Sequence, residues 1–172
     1  MRKFIIAVAA LALSASASTS FAQGGKGKTK HSNAGAGTAH VILTPGDVKW
    51  GPAPPALPPG AEVAVIDGDP SKRGAPYTIR LKVPDGYRVA PHWHPVDESV
   101  TVIEGTLVLG LGDKFDESAG RELMAGSYAR MPKGVRHFAS MKGESIIQVH
   151  GTGPFEIIYV NPADDPRHKS GK

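Results

Sequence analysis

Short apolar segments separated by turn residues make up the chain from residue 40 onward. Every second residue from Tyr77 to Val83 is apolar, the residues between them are polar, and Pro84-Asp85-Gly86 follows. A period of two is typical of a strand with one buried face, and Pro-Asp-Gly is typical of a turn. Similar patterns predict further strands at 61–66, 99–103, 106–111, 127–131, 135–141, 145–150 and 155–160.

No segment shows a sustained helical period, and the composition is rich in turn formers. The 172 residues include 21 Gly and 15 Pro, and the proline-rich stretch 51–60 is assigned to a loop. The short apolar segments amount to roughly nine or ten strands joined by tight turns. The sequence therefore predicts an all-β barrel or sandwich in a single domain.

The first 22 residues have the three parts of a secretory signal peptide. Arg2 and Lys3 supply the positive start, and residues 4–13 are an apolar run too short to span a bilayer. Ser20-Phe21-Ala22 then places small residues at the two positions that a signal peptidase reads. We expect cleavage after Ala22 and export of the mature chain to the periplasm or beyond.

Three further regions follow the predicted signal peptide. Residues 23–38 are almost all small or polar, which predicts a disordered linker because such a segment buries too little apolar surface to offset its ordering entropy. Residues 39–166 carry all the predicted strands and form the barrel domain. Residues 167–172 are a polar tail.

The formal net charge of +4 arises in the N-terminal region. Five of the 20 Lys and Arg residues precede residue 39, so 15 basic residues stand against 16 acidic ones in the rest of the chain. A nearly neutral domain argues against a nucleic-acid partner and against a polybasic membrane-binding surface. Because the chain has no cysteine, any metal must be held by imidazole and carboxylate groups.

Potential metal ligands occur at spacings that favour a shared ion. His92 and His94 are two positions apart, and on a strand two such imidazoles point to one face. Residues 95–97 predict a turn, after which the carboxylate of Glu98 can fold back toward the same ion. His137 lies in a second strand–turn–strand unit and is the candidate for a third imidazole.

These residues resemble the two sequence motifs of the cupin superfamily. The first motif is Gly, five residues, His-x-His, three or four residues, Glu, six residues and Gly, and residues 86–105 match every fixed position. In the second motif Gly126, Pro132, Gly134 and His137 match, whereas Met141 stands where the family has Asn. The resemblance covers the chain from about residue 76 to residue 160.

The resemblance implies a small double-stranded β-helix, the jelly-roll barrel of cupins, with one divalent metal ion in its mouth. It implies that the ligands are His92, His94, Glu98 and His137, and that a homodimer can form. Such a ligand set leaves about two positions open on a six-coordinate ion. Fe, Mn, Zn, Ni and Co all accept these donors, so the sequence leaves the metal undecided.

Strand phase indicates which other side chains face the barrel interior. Leu81, Val100 and Ile157 have the phase of an apolar pocket wall, with core packing as the alternative. Four more residues of this phase are the candidate substrate contacts: Tyr77, Ile79, Val102 and Met131.

His150 is the one histidine of the predicted barrel strands outside the ligand set. It is the candidate catalytic residue, acting as a proton shuttle or as a hydrogen-bond donor to a metal ligand. The alternative is a hydrogen-bonded histidine at the barrel rim.

Three functions are compatible with the predicted centre. An open metal site beside an apolar pocket favours a metal-dependent oxidoreductase, in particular a dioxygenase, acting on a small organic substrate such as an enol or diketone. A non-catalytic periplasmic binding or sensing module is the alternative, because the chain, including residues 148–154, also resembles the zinc-binding cupin domain of ChrR-type anti-sigma factors. A metal-dependent isomerase or lyase is the third. Oxalate-processing cupins carry an arginine where this chain has Val89, which disfavours oxalate.

Overall fold

The computed structural model describes residues 40–168, and β-strands dominate this part of the chain. Single turns of 3-10 helix lie at Pro45–Asp47, Glu117–Ala119, Pro162–Asp164 and Pro166–His168. The strands are β1 (Gly51–Pro52), β2 (Glu62–Gly68), β3 (Pro76–Val83), β4 (Arg88–Trp93), β5 (Glu98–Leu111), β6 (Arg121–Met124), β7 (Tyr128–Met131), β8 (His137–Thr152) and β9 (Ile158–Tyr159).

The all-β prediction is confirmed. The predicted signal peptide, the linker and the last four residues of the predicted tail lie outside the described residues. Between residues 40 and 168, the structure contains no helix with the length and apolar character needed to cross a membrane.

All strand pairs are antiparallel and belong to one curled sheet. Its order is β1-β2-β3-β8-β4-β9, and β5 joins this path through β8 while also pairing with β6 and β7. β5 and β8 pair along almost their whole length, from Glu98 opposite Gly151 to Leu111 opposite His137. These two long strands form the frame on which the shorter strands assemble.

The two long strands each cover segments that the sequence divides in two. The predicted break at Glu104-Gly105 is a bulge inside β5, and the two predicted strands 135–141 and 145–150 form one strand, β8, which begins at His137. Gly105 has a φ of 76°, and a Cβ atom there would lie 2.2 Å from Oγ of Ser145. Only glycine fits this bend, so Gly105 redirects the strand instead of ending it.

The sequence pattern misses two strands: the two-residue β1, which lies in the stretch 51–60 assigned to a loop, and the longer β6. The residues of β6, Arg121–Met124, are mostly exposed and show no apolar alternation. The strand pairs with residues 106–109 of β5. Backbone hydrogen bonding to a neighbour, rather than burial of side chains, therefore accounts for this element.

The interior of the sheet is filled by alternate residues of facing strands. On β3 the buried positions are those predicted, from Tyr77 to Val83, with half-buried polar residues between them. Buried residues of β5 and β8, such as Val100, Leu107 and Val149, pack against them in one core cluster. Leu57, from the loop between β1 and β2, belongs to the same cluster.

Candidate metal centre

Three histidines converge inside the sheet from two separated segments. His92 lies on β4, His94 follows the end of that strand, and His137 begins β8. Their potential ligand nitrogens all lie within 4.8 Å of one another. All three residues are buried, with exposed fractions of 5%, 4% and 2%. This cluster could hold a metal ion.

The sheet register creates this cluster. β4 pairs with β8 so that His92 lies opposite His137, and their ring centroids are 4.2 Å apart. His94 joins them because side chains two residues apart on an extended chain point the same way. Its ring centroid is 5.1 Å from that of His92 and 5.3 Å from that of His137.

Each imidazole is oriented by a backbone carbonyl oxygen next to its Nδ1 atom. A carbonyl oxygen can only accept a hydrogen bond, so Nδ1 carries the proton in all three rings. In the neutral rings Nε2 is then unprotonated, and its lone pair is free to bind a metal ion. Proteins commonly orient metal-binding imidazoles in this way. The three Nδ1–oxygen distances are 2.7 Å for His92 to Ala90, 2.6 Å for His94 to Glu156, and 3.0 Å for His137 to Val135.

The carboxylate of Glu98 faces the histidines from the start of β5. Its Oε2 atom lies 3.4 Å from Nε2 of His94 and 3.4 Å from Nε2 of His137. Burial alone would raise the pKa of Glu98, but the imidazoles of His137 and His94 hold that pKa well below its usual range. The carboxylate predicted as the fourth ligand is thus a buried anion beside the histidine nitrogens.

Burial and neighbouring charges shift the pKa values of His92 and His94 in opposite directions. Burial, reinforced by the neighbouring imidazoles of His137 and His94, lowers the pKa of His92 to about 3. Burial also opposes protonation of His94, but the Glu98 carboxylate outweighs it and raises the pKa of His94.

The donor set fits a divalent metal ion. Nε2 of His94 is buried and has no hydrogen-bond partner, and Oε2 of Glu98 lies 3.4 Å from it. An unsatisfied polar atom in the interior is costly, and a metal ion at this position would satisfy it. Imidazole nitrogen with carboxylate oxygen suits Fe, Mn, Co, Ni and Zn.

The histidines and Glu98 line a small apolar cavity. Its volume is about 50 Å³, whereas ligand sites typically measure about 300–1,000 Å³. Within residues 40–168 no lysine or arginine borders it, and Tyr87 is the one ionisable neighbour besides the four residues above. Most of the wall is hydrocarbon, including Leu81, Val83, Val89, Val100, Leu107 and Ile157.

The predicted pocket residues divide into two groups. Leu81, Val100 and Ile157 border the cavity beside the histidines. Strand phase identifies the inward face correctly but gives no position along the strand. The four candidate substrate contacts are therefore buried in the core without bordering this cavity: Tyr77, Ile79, Val102 and Met131.

His150 lies on the outer face of the sheet. Its neighbour on β8, Val149, borders the cavity, and successive residues of a strand face opposite sides. The ring of His150 stacks on that of Tyr128, at 6.4 Å between centroids, and Tyr128 is 57% exposed. The sheet separates His150 from the three histidines, so its position does not support the predicted role of proton shuttle for the cavity.

The sequence prediction misses several residues that border the cavity, among them Phe155, Tyr87 and Leu57. Phe155 stacks on His94 with 5.8 Å between ring centroids, and Tyr87 and Leu57 complete the wall. A signal for Leu57 does exist, because it is the only large aliphatic residue in the proline-rich stretch 51–60. Such an isolated apolar residue in a loop indicates that the loop packs onto the core.

Comparison with known families and structures bears on the fold. A family model described as a ChrR cupin-like domain matches residues 38–156. No curated protein matches the chain.

Several solved structures share the fold at low sequence identity. The polyketide cyclase RemF from Streptomyces resistomycificus is 17% identical, with a TM-score of 0.60 over 78% of this chain and 94% of that one. A candidate acetylacetone dioxygenase from Methylibium petroleiphilum is 19% identical, with a TM-score of 0.57 over 76% and 88%. An RmlC-like cupin from Shewanella frigidimarina is 14% identical, with a TM-score of 0.52 over 69% and 95%. The predicted jelly-roll β-barrel is thereby confirmed.

Proposed function

The chain belongs to the family of ChrR cupin-like domains, and we propose that it is an exported, metal-dependent oxidoreductase of the dioxygenase type. The proposed substrate is a small organic molecule that chelates the metal. One observation carries this proposal, namely that three buried imidazoles and a carboxylate converge on the wall of an apolar cavity.

His92, His94, His137 and Glu98 are the residues that would hold the ion. A redox-active divalent ion there would supply Lewis-acid and electron-transfer chemistry toward oxygen. The protein itself orients the ligands and excludes water. Backbone carbonyl oxygens fix the three imidazole rings, and the hydrocarbon wall limits the entry of water into the cavity. A dioxygenase consumes one oxygen molecule per substrate and places both atoms in the products, so no external reductant is required.

The charges around the cavity indicate the class of substrate. With neutral imidazoles, the single carboxylate of Glu98 offsets only part of the charge of a divalent ion. A singly charged organic anion, such as the enolate of a β-diketone, would complete the balance. A dianion such as oxalate would add a second negative charge with no Lys or Arg beside it among the described cavity residues. A candidate acetylacetone dioxygenase is among the structures of similar fold.

The lining residues favour oxidation over isomerisation or elimination. Those reactions need a proton-transfer group whose pKa lies near the working pH. Besides the four proposed ligands, the ionisable cavity residue in the described chain is Tyr87. Burial raises the pKa of Tyr87 further above neutrality, and its hydroxyl donates to the carbonyl oxygen of Pro58. An isomerase or lyase therefore has less support.

The second candidate is a metal-binding or sensing module without catalysis. The volume of about 50 Å³ favours it, because that space holds a few water molecules rather than a substrate. Zinc, which has no redox chemistry, would suit this role.

Oxygen consumption by defined metal forms separates the two candidates. Purified mature protein without a His tag is loaded anaerobically with Fe, Mn, Ni, Co or Zn, and oxygen uptake is followed with acetylacetone, related β-diketones and phenols. We expect uptake in at least one redox-active form and none in the zinc form. One bound metal per chain with no oxygen uptake in any form would favour the binding module.

A further inference from the structure

Leu57 separates a groove on the outside of the barrel from the cavity that the three histidines and Glu98 line, which we call the metal cavity. The groove has a volume of about 600 Å³ and is bordered by residues 52–55, 57–61, Asp164 and Pro166. The metal cavity has a different set of neighbours, and among residues 40–168 only Leu57 borders both spaces. Leu57 is 6% exposed and belongs to the core cluster.

The loop that carries Leu57 is a compact, closed unit. Its base is tied by a hydrogen bond of 3.3 Å from the Ala53 nitrogen to the Ala61 oxygen, next to the pairing of β1 with β2. A turn places the Leu57 nitrogen 2.9 Å from the Pro54 oxygen. Prolines restrict the backbone between these points, and Gly60, with a φ of 103°, allows the sharp return. Such a loop is suited to move as one piece.

Two tyrosines hold the loop on either side of Leu57. The hydroxyl of Tyr159 donates to the carbonyl oxygen of Ala56 at 2.8 Å, and the hydroxyl of Tyr87 donates to that of Pro58 at 2.7 Å. Both tyrosines are buried at the centre itself: Tyr87 borders the cavity, and the Tyr159 ring centroid is 6.0 Å from that of His92. The loop position is thus tied directly to the walls of the metal centre.

We propose that Leu57 is the gate of the metal cavity and determines the size of ligand that reaches it. The proline-rich loop 53–60 opens by releasing the two tyrosine hydroxyls, and the ligand passes from the outer groove past Leu57. This inference deepens the function proposed above and rests on it. It also reconciles the small resting cavity with a substrate of diketone size, because opening joins the cavity to the groove.

The route selects for particular ligands. Prolines, alanines and Leu57 make most of its wall apolar, and the charged group bordering the groove in the described residues is the acidic Asp164. A compact, largely apolar chelator with at most one negative charge suits this path, and a dicarboxylate does not.

Ligand association with the cobalt-loaded protein tests the gate directly. The change in cobalt absorbance is followed by stopped flow after mixing with azide, acetylacetone or benzoylacetone, in the natural protein and in Leu57→Ala. Leu109→Ala is the matched control, because Leu109 also borders the cavity but not the groove. Opening steps commonly limit such rates, so we expect Leu57→Ala to accelerate benzoylacetone binding about tenfold and azide binding much less. Leu109→Ala should leave both rate constants nearly unchanged.

The gate is overturned if the two variants change the rates equally, or if neither changes them. Should Leu57→Ala fail to fold by circular dichroism, Tyr159→Phe provides the test, because it removes one loop contact and leaves Leu57 in place. An unchanged benzoylacetone rate in that variant would also overturn the gate. Oxygen uptake is a separate readout. If the cobalt-loaded protein shows the expected binding rates but no metal form consumes oxygen, the gate is supported and the proposed dioxygenase reaction is wrong.

Discussion

His92 on β4 and His137 on β8 are direct cross-strand partners, with their ring centroids 4.2 Å apart. The two residues belong to different sequence motifs, and the antiparallel register joins those motifs into one centre. Any substitution that removes either imidazole should therefore affect the same property, metal binding.

Replacing His137 with alanine should reduce metal content strongly. Even the loss of a residue that only supports a ligand commonly costs about 10–100-fold in metal affinity, so His137→Ala should retain at most about a tenth of the metal after dialysis. Elemental analysis of the purified protein measures this. The matched control is His150→Ala, whose side chain lies on the outer face of β8 and should leave metal content unchanged. Equal metal content in both variants would contradict the assignment.

Metal removal should lower thermal stability. A ligand present at about 100 times its Kd adds about 2.7 kcal/mol to the free energy of unfolding. For a domain of this size that corresponds to a Tm difference of about 10 °C. Calorimetry of the metal-loaded and chelator-treated forms checks the value. Glu98→Gln, which removes the buried negative charge, should shrink the difference; an unchanged difference would argue against Glu98 as a ligand.

Substitutions of three glycines should destabilise the barrel in a defined order. Gly105→Ala places a Cβ atom 2.6 Å from the Glu144 carbonyl oxygen at positive φ, and we expect a loss of about 3 kcal/mol or more. Gly126 also has positive φ but nothing within 4 Å, so Gly126→Ala should cost about 1 kcal/mol. Gly46 has neither constraint and serves as the control. Urea unfolding at pH 7 measures all three, and similar losses at Gly105 and Gly46 would contradict the close packing.

Export should leave Gln23 as the first residue. We expect mass spectrometry and N-terminal sequencing of protein from the periplasmic fraction of a bacterial host to find cleavage after Ala22. Ala22→Pro should block processing, because it disrupts the small-residue site. Full-length protein in the cytoplasm of cells producing the natural sequence would refute export.

Much of the metal centre can be predicted from the sequence, because three of its four proposed ligands lie within seven residues of one another. An His-x-His pair fixes two imidazoles on one face of a strand, and Glu98 follows after a single turn. The all-β class follows from equally local features, namely apolar alternation and the frequent glycines and prolines. For His137, alternation alone gives no strand partner, and the choice depended on resemblance to a second motif.

Features that depend on distant contacts were harder to predict. His150 and Val149 are adjacent in sequence but lie on opposite faces of β8, and a one-residue change of phase decides which of them borders the cavity. Gly105 bends a strand whereas Gly86 lies in a turn between strands, and the close approach of Ser145 and Glu144 to Gly105 is seen only in the structure. Leu57 lies in a loop that no periodic pattern describes. Its isolated apolar side chain indicates packing onto the core, but the sequence does not show that it borders the cavity.

The most direct test of the metal centre is anomalous X-ray diffraction from crystals of the metal-loaded protein, recorded at the absorption edge of the bound metal. We expect one strong peak per chain, within about 2.0–2.2 Å of Nε2 of His92, His94 and His137 and of a carboxylate oxygen of Glu98. A fully loaded crystal whose only peak lies away from these four side chains would contradict it.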